Sequence, residues 1–181
     1  MMKRFDLLQS HNVYAGRAFR VDVVDVRLPD GKETTFDLVR HPGAVALVVV
    51  DEAKRILFVR QYRMGADNDL LELPAGTLKP DEPPEECAQR EVREETGFAA
   101  RSLRKLGAFY MAPGYSDEYL HIYLASDLYP ARLAGDVDEF IQVEAVPVEK
   151  VYAMVARGEI QDGKSLAGLL LAQPYLIGRG K

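Results

Sequence analysis

The sequence predicts an α/β fold with a small antiparallel β-sheet section at its N-terminus. Segments with the pattern of strands alternate with segments that have the composition of helices, an order typical of layered α/β or α+β domains. The 181 residues are enough to bury one sizeable core, and they contain no internal repeat, low-complexity tract or linker. We therefore expect an N-terminal β section over residues 1–40 and a main domain over residues 41–181.

The first strands are expected to form a hairpin. Residues 19–28 alternate loosely between apolar and polar types, and residues 34–39 resume this extended pattern. Between them, Asp30-Gly31 offers a tight turn. This hairpin would make up the N-terminal sheet.

Five further segments are predicted to be strands of the main domain. Residues 44–50 are almost wholly apolar, and residues 56–59 follow a charged turn, so both are expected to be buried central strands. Turn-rich segments then separate three more predicted strands, over residues 103–111, 119–125 and 140–146.

Helices are predicted at three places. A segment of strong helix formers begins at Pro83-Pro84, runs to Thr96 and stops at Gly97, the residue type that commonly ends a helix in the left-handed conformation. Two more helices are expected to close the chain, near residues 148–157 and 165–176.

The composition limits both the partners and the compartment. A formal net charge of -5 and a pI of about 5.3 give no general attraction to nucleic acid or to an anionic membrane. Cys87 is the one cysteine, so no internal disulfide can form, as expected in a reducing cytoplasm. Residues 1–10 lack the long apolar core of a signal peptide, and no later apolar run reaches the length of a membrane span. We expect a cytoplasmic protein that binds neither nucleic acid nor a membrane.

The predicted helix before Gly97 carries a cluster of acids. Glu91, Glu94 and Glu95 are three and four residues apart, so they share one helical face beside an apolar stripe. Carboxylates clustered at a partly buried edge repel one another unless a cation lies among them. Oxygen ligands without His or Cys suit Mg²⁺ or Mn²⁺, and such a site favours a pyrophosphate. A solvated, salt-bridged helix face is the alternative interpretation.

Residues 76–98, GTLKPDEPPEECAQREVREETGF, resemble the signature box of the Nudix hydrolase family. The likeness continues upstream through residues 60–63 and 71–76, and downstream through residues 112–114. In that family the box forms a loop, a helix and a second loop on an α/β/α sandwich with a mixed sheet, so the resemblance implies this fold here. The matching positions are Gly76, Glu82, Arg90-Glu91-Val92, Glu94-Glu95, Gly97 and Phe98.

The resemblance also implies roles for individual box residues. Glu91 and Glu95 are expected to bind Mg²⁺, or Mn²⁺, with help from the backbone carbonyl of Ala75. Glu94 is expected to share or support this metal cluster. Arg90 is expected to be a buried partner that orients the carboxylates.

Hydrolysis of a pyrophosphate also needs a general base that takes a proton from the attacking water. In the ADP-ribose pyrophosphatases that the chain resembles, this base comes from a mobile loop after the strands of the sandwich. The matching region makes Glu139 the first candidate. Glu118, which follows Pro113-Gly114, is the second.

Arg63 and Glu72 are the expected substrate contacts near the box. A guanidinium suits bidentate contacts with phosphate, so Arg63 is the expected phosphate-binding residue. A surface ion pair is the alternative for its side chain. Glu72 is expected to hydrogen-bond the substrate or the groups around it, and a sheet-edge charge is the alternative.

The segment around Pro113 and Gly114 is expected to contact the substrate as well. Pro113 stands sixteen residues beyond Gly97, a mark shared with ADP-ribose pyrophosphatases. A proline in a turn also has the plain interpretation of turn chemistry. Tyr115 favours a different substrate, because a tyrosine near that position marks dinucleoside polyphosphate hydrolases.

The resemblance therefore implies an Mg²⁺-dependent hydrolase that converts ADP-ribose to AMP and ribose 5-phosphate. It further implies a homodimer whose chains exchange their N-terminal strands. Another nucleoside diphosphate sugar, such as GDP-mannose, or a dinucleoside polyphosphate is the alternative substrate. A noncatalytic module that senses ADP-ribose is an alternative of a different class, although this chain keeps the carboxylates of the box.

Overall fold

The computed structural model of the protein describes residues 4–135 and 140–178. The chain divides into two compact units. The first unit extends to Gly43 and includes Phe109–Tyr119, and the second comprises Ala44–Ala108 together with the residues from Leu120 onward. The expected domain boundary between residues 40 and 41 stays a prediction.

The first unit contains an antiparallel sheet of three strands in the order β1-β2-β3. The strands are β1 (Asp6–Ala15), β2 (Arg20–Arg27) and β3 (Glu33–Arg40). The predicted hairpin is confirmed as β2 and β3, and Gly31 at its turn has a φ of 89°, which glycine adopts without strain. Strand β1 was not predicted from the sequence. Since all ten of its residues are exposed, burial imposes no apolar alternation on them.

The larger sheet has seven strands and is mixed. Its main path has the order β10-β5-β4-β9-β8, while β6 pairs with β5 and β7 pairs with β4. Strand β4 runs parallel to β9 but antiparallel to β5 and β7. The strands are β4 (Ala44–Val50), β5 (Arg55–Arg63), β6 (Asn68–Glu72), β7 (Ala75–Thr77), β8 (Phe98–Tyr110), β9 (Tyr119–Pro130) and β10 (Gln142–Pro147).

Three helices are present among the described residues, where the sequence predicted them. They are α1 (Pro84–Thr96), α2 (Val148–Ala156) and α3 (Gly163–Leu176). Helix α1 ends as expected at Gly97, which has a φ of 81° and donates its backbone N–H to the carbonyl of Arg93. None of these helices is long and apolar enough to cross a membrane.

Strand β4 lies between two apolar clusters. Its alternate residues Val45, Leu47 and Val49 pack with Cys87, Ala88 and Val92 of α1. Its residue Val48 belongs to a second cluster, which includes Phe58 and residues of α2 and α3. Since successive side chains of a strand point to opposite faces, α1 covers one face of the sheet and α2 and α3 cover the other. This is the expected α/β/α sandwich, and it explains why β4 is apolar along its whole length.

The remaining differences from prediction concern short strands and strand ends. Strands β6 and β7 were not predicted, because they have only five and three residues and include types that disfavour strands. Pairing with β5 and β4 overrides that local preference. Strand β8 begins at Phe98, one residue after the end of α1, whereas it was expected to begin at residue 103. Strand β10 begins at Gln142 and not at residue 140.

Candidate active site

Helix α1 buries two of its carboxylates at the edge of its apolar face. Glu91 and Glu95 are each only 6% exposed, and they lie next to the fully buried Ala88 and Val92. The side chain of Glu94 is 18% exposed. A solvated helix face would leave its acids in water, so this burial argues against the alternative interpretation of the acidic cluster.

Arg90 joins the acids of this helix into one network. Its Nη1 donates to Glu91 Oε1 at 2.5 Å and to Glu94 Oε2 at 2.9 Å. Its Nε and Nη2 donate to the two carboxylate oxygens of Glu82 at 2.8 and 2.9 Å. The guanidinium lowers the pKa of Glu82 to about 2, and Glu82 in turn is the main reason that the pKa of Arg90 rises. This geometry agrees with an orienting role for Arg90.

A buried thiol lies beneath this network. Cys87 is fully buried, and Arg90 Nη2 donates to its Sγ at 3.2 Å. The Cys87 thiol also contacts the carbonyl oxygen of Thr77 at 3.7 Å. Burial raises the pKa of Cys87 to about 12, so the thiol is protonated at neutral pH.

The segment between β6 and β7 is bonded to helix α3 and to strand β4. The backbone N–H of Leu73 donates to Ser165 Oγ of α3 at 2.7 Å. The carbonyl of Pro74 accepts a bond of 2.8 Å from the backbone N–H of Leu47 in β4. These contacts fix the backbone that leads to Ala75.

The next two residues of this segment meet the acids of α1. The backbone N–H of Ala75 donates to Glu95 Oε2 at 3.0 Å. A Cβ atom added to Gly76 would lie 1.8 Å from Glu91 Oε1 and 2.5 Å from Glu91 Oε2. Only glycine therefore lets the Glu91 carboxylate lie directly against the backbone at this position.

The groups gathered here fit Mg²⁺ or Mn²⁺ by their chemistry. The carboxylates of Glu91, Glu94 and Glu95 all offer oxygen ligands, and the resemblance adds the backbone carbonyl of Ala75. Within the described ranges, no three His, Cys, Asp or Glu residues are grouped so that they could hold a metal ion. Mg²⁺ typically takes one or two carboxylates and completes its shell with waters and substrate phosphates. The Glu91 carboxylate, which lies directly against the backbone of Gly76, is compatible with that mode of binding.

A second ionic cluster surrounds Glu72, which is 1% exposed. Arg63 forms a bidentate pair with it, from Nε to Oε1 at 3.0 Å and from Nη2 to Oε2 at 2.7 Å. Lys164 Nζ donates to Glu72 Oε2 at 2.5 Å and to Asp162 Oδ2 at 2.9 Å. The bond to Glu72 raises the pKa of Arg63, and the charge of Glu95 adds to the rise. The two ionic clusters are thus electrostatically connected.

Three residues near this cluster were not predicted from the sequence as site residues, namely Lys164, Asp162 and Ser165. Asp162 caps α3, because its Oδ2 accepts from the backbone N–H and the Oγ of Ser165 at 3.0 and 2.5 Å. An acid three residues before a serine at a helix start was the available signal. By itself, that signal shows only where a helix begins.

A cavity of about 580 Å³ opens beside the acidic face of α1, which is within the usual range for a small-molecule site. Its wall includes Glu94, Glu95 and the loop after β9. That loop is fixed to the end of α1, since Arg93 Nε donates to the carbonyl of Ala131 at 3.0 Å. The backbone N–H of Ala131 also donates to the carbonyl of Gly97 at 3.1 Å. The other lining residues are Arg132, Leu133, Ala134, Gly135, Ile141, Gln142 and Val143.

The predicted site residues fall into three groups. One group lies in the second unit and forms the two ionic clusters described above. Another group lies in the first unit, where Pro113 and Gly114 are exposed and Glu118 is half-buried. Glu139 lies outside the described residues. The first group consists of Arg63, Glu72, Ala75, Arg90, Glu91, Glu94 and Glu95.

Comparison with known proteins gives one family for most of the chain. The family model described as NUDIX domain matches residues 39–169. An ADP-ribose pyrophosphatase of Bacillus subtilis (strain 168) is 38% identical over 160 residues, which cover 87% of this chain and 86% of that protein. A GDP-mannose pyrophosphatase of Yersinia enterocolitica is 34% identical over 175 residues, which cover 92% of this chain and 91% of that protein.

A solved structure shows the same architecture. The crystal structure of an ADP compounds hydrolase superposes with a TM-score of 0.87 and is 27% identical in sequence. The match covers 99% of this chain and 98% of the other. The likeness therefore extends over both compact units and not only over the acidic helix and its loop.

The contact between Gly76 and Glu91 leads to a prediction about metal binding. Gly76→Ala should fold, because the added Cβ meets the far end of a flexible side chain, but the Glu91 carboxylate must move away. We expect Mn²⁺ affinity, measured by electron paramagnetic resonance titration, to fall by about tenfold or more.

Gly65→Ala is the matched control, because a Cβ at Gly65 has nothing within 4 Å. Circular dichroism melts of both variants would establish that they are folded. Wild-type Mn²⁺ affinity in folded Gly76→Ala would show that Glu91 does not need this position to bind the ion.

Proposed function

The chain belongs to the NUDIX family, and from that premise we propose that it hydrolyses the pyrophosphate bond of ADP-ribose, giving AMP and ribose 5-phosphate. The observation that carries the proposal is the pair of buried carboxylates, Glu91 and Glu95, held against the backbone of Ala75 and Gly76. The 38% identity with an ADP-ribose pyrophosphatase over most of both chains supports the choice of substrate.

Glu91 and Glu95 would hold Mg²⁺ together with the carbonyl of Ala75, and Glu94 would support this pair of carboxylates. When bound, the ion neutralises charge on the phosphoryl oxygens and favours a water nucleophile. Arg90 keeps the carboxylates of Glu91 and Glu94 in place through its Nη1. The N–H of Ala75 fixes one oxygen of Glu95, so the carboxylate does not need to reorganise when substrate arrives.

Arg63 is the proposed contact for a substrate phosphate. A guanidinium has five N–H donors, so the two bonds to Glu72 fix its plane and still leave donors for a phosphate. The Arg63 side chain is 40% exposed, whereas Glu72 is buried behind it. Glu72 therefore acts on the substrate through Arg63.

A glutamate outside the acidic helix is the proposed general base. Glu139 is the first candidate, on the resemblance alone, since it lies outside the described residues. Glu118 is the second, and its backbone is held by bonds to Ser116 Oγ and to the N–H of Met111. Either carboxylate would accept one proton from the attacking water.

Other substrates are the nearest competing proposals. The 34% identity with a GDP-mannose pyrophosphatase supports another nucleoside diphosphate sugar as an alternative substrate. Tyr115 beside Pro113 and Gly114 is the feature that favours a dinucleoside polyphosphate. A noncatalytic ADP-ribose sensor would bind the nucleotide without turnover, and the retained carboxylates of α1 argue against it.

We further propose a homodimer formed through the N-terminal strands. Strand β1 is exposed along its whole length, although it carries large apolar side chains. Leu7 is 65% exposed and Val13 is 57% exposed. A second copy of the chain would cover these side chains, which are costly to leave in water.

A cytoplasmic location is part of the same proposal. The single cysteine leaves the chain without an internal disulfide, which agrees with a reducing cytoplasm. The acidic net charge disfavours binding to nucleic acid.

The proposed activity predicts AMP release from ADP-ribose that requires Mg²⁺. Glu95→Gln should lower kcat by about 10²-fold or more, because it weakens charge stabilisation in the transition state. Product chromatography with ADP-ribose, GDP-mannose, a diadenosine polyphosphate and a nucleoside triphosphate would measure both the activity and its selectivity.

Glu86→Gln is the matched control, since Glu86 is exposed on the same helix. Preference for another compound in the panel would replace ADP-ribose as the substrate. Tight binding of ADP-ribose with no turnover of any compound would favour the sensor.

The proposed base predicts different effects at the two candidate glutamates. Glu139→Gln should lower kcat by about 10²-fold to 10⁴-fold with little change in KM, because it removes proton transfer rather than binding. It should also abolish the acidic limb of the pH profile of kcat. Glu118→Gln should change kcat by no more than a few-fold, and the opposite ranking would exchange the two roles.

The proposed dimer predicts that the mass of the particle in solution falls when charged side chains are introduced into β1. Wild type should elute as a dimer in size-exclusion chromatography with light scattering, and Leu7→Glu combined with Val13→Glu should shift it toward monomer. Met64→Glu is the control, because Met64 is 82% exposed but lies between β5 and β6. A monomeric wild type at tens of micromolar protein would contradict the proposal.

A further inference from the structure

Two cations from different elements meet on one buried carboxylate. Glu72, at the end of β6, is 1% exposed and accepts bonds from both Arg63 and Lys164. Arg63 ends strand β5, whereas Lys164 lies in the first turn of α3. The bidentate arginine uses one acceptor site on each oxygen of the carboxylate, and Lys164 takes a second site on Oε2.

The Lys164 side chain is itself mostly buried and is bonded to two carboxylates. Its side chain is only 16% exposed, and its Nζ is bonded to Glu72 Oε2 and to Asp162 Oδ2. Asp162 is itself fixed as the cap of α3, since its carboxylate bonds the N–H and the hydroxyl of Ser165. The ammonium group therefore has a fixed position at the start of α3. Its bond to Oε2 fixes the Glu72 carboxylate in turn.

We propose that Lys164 is a positioning residue for Arg63 and acts through Glu72. The ammonium holds Oε2 of Glu72, which fixes the plane of the carboxylate. The bidentate pair then fixes the plane of the Arg63 guanidinium. This inference rests on the proposed contact between Arg63 and a substrate phosphate. Lys164 itself needs no contact with substrate.

The chain of bonds predicts an effect on substrate binding. Without the ammonium, Glu72 can still pair with Arg63, but the pair can turn as a unit. Arg63 then presents its donors to the phosphate in the productive direction for a smaller fraction of time. Lys164→Met should therefore raise KM for ADP-ribose by about tenfold, with kcat within about threefold of wild type.

The test is a double-mutant cycle measured by AMP release from ADP-ribose with Mg²⁺. The variants are Lys164→Met, Arg63→Lys and the two together, with Lys164→Arg as the conservative change and thermal unfolding of each. If Lys164 acts through Arg63, Lys164→Met adds little to the KM of Arg63→Lys. Lys164→Arg should restore much of the wild-type KM, because a guanidinium can also donate to Glu72.

The matched control is Lys150→Met, because Lys150 is an exposed lysine on α2. Additive effects on KM in the double mutant would overturn the inference, as would a wild-type KM in Lys164→Met. A wild-type KM in Arg63→Lys would overturn it too, by removing the phosphate contact on which it rests. Failure of wild type to hydrolyse ADP-ribose would instead overturn the proposed function.

Discussion

The acidic face of α1 can be buried only because positive charge and N–H groups surround its carboxylates. Arg90 bonds three glutamates at once, and the backbone of Ala75 bonds a fourth, Glu95. Without these partners the carboxylates would repel one another and resist ionisation. The requirement extends to the neighbouring backbone, which approaches so closely that a Cβ at residue 76 would displace the Glu91 carboxylate. Much of the surrounding sandwich serves to hold that backbone in place.

The segment over residues 72–76 joins the two ionic clusters of the second unit. At one end Glu72 is paired with Arg63 and Lys164, and at the other end the segment meets the acids of α1. Between these ends, helix α3 and the neighbouring strand β4 both bond its backbone. A loop with so many fixed points can present a backbone carbonyl and a guanidinium in set directions, which is the condition for preorganised binding of charge.

Sequence signals were sufficient for the acidic helix and for the arrangement of the carboxylates along it. The limits of α1 follow from Pro83-Pro84 and Gly97, and the common face of its glutamates follows from their spacing. The Glu72 cluster could not be predicted in full, because Lys164 is 92 residues away in the chain and only tertiary packing brings the two together. Strand β1 was not predicted for a different reason, since none of its residues is buried. The general base stays a prediction.

The environment of Cys87 has a practical consequence for spectroscopy. The chain has no other cysteine, and this one is fully buried with a thiol pKa of about 12. Maleimide and methanethiosulfonate reagents are attacked by the thiolate, which Cys87 hardly forms at neutral pH. A cysteine introduced on the surface would therefore take up a fluorophore or a spin label against almost no background. The native sequence can serve directly as the parent for distance measurements, without first removing its own thiol from beneath Arg90.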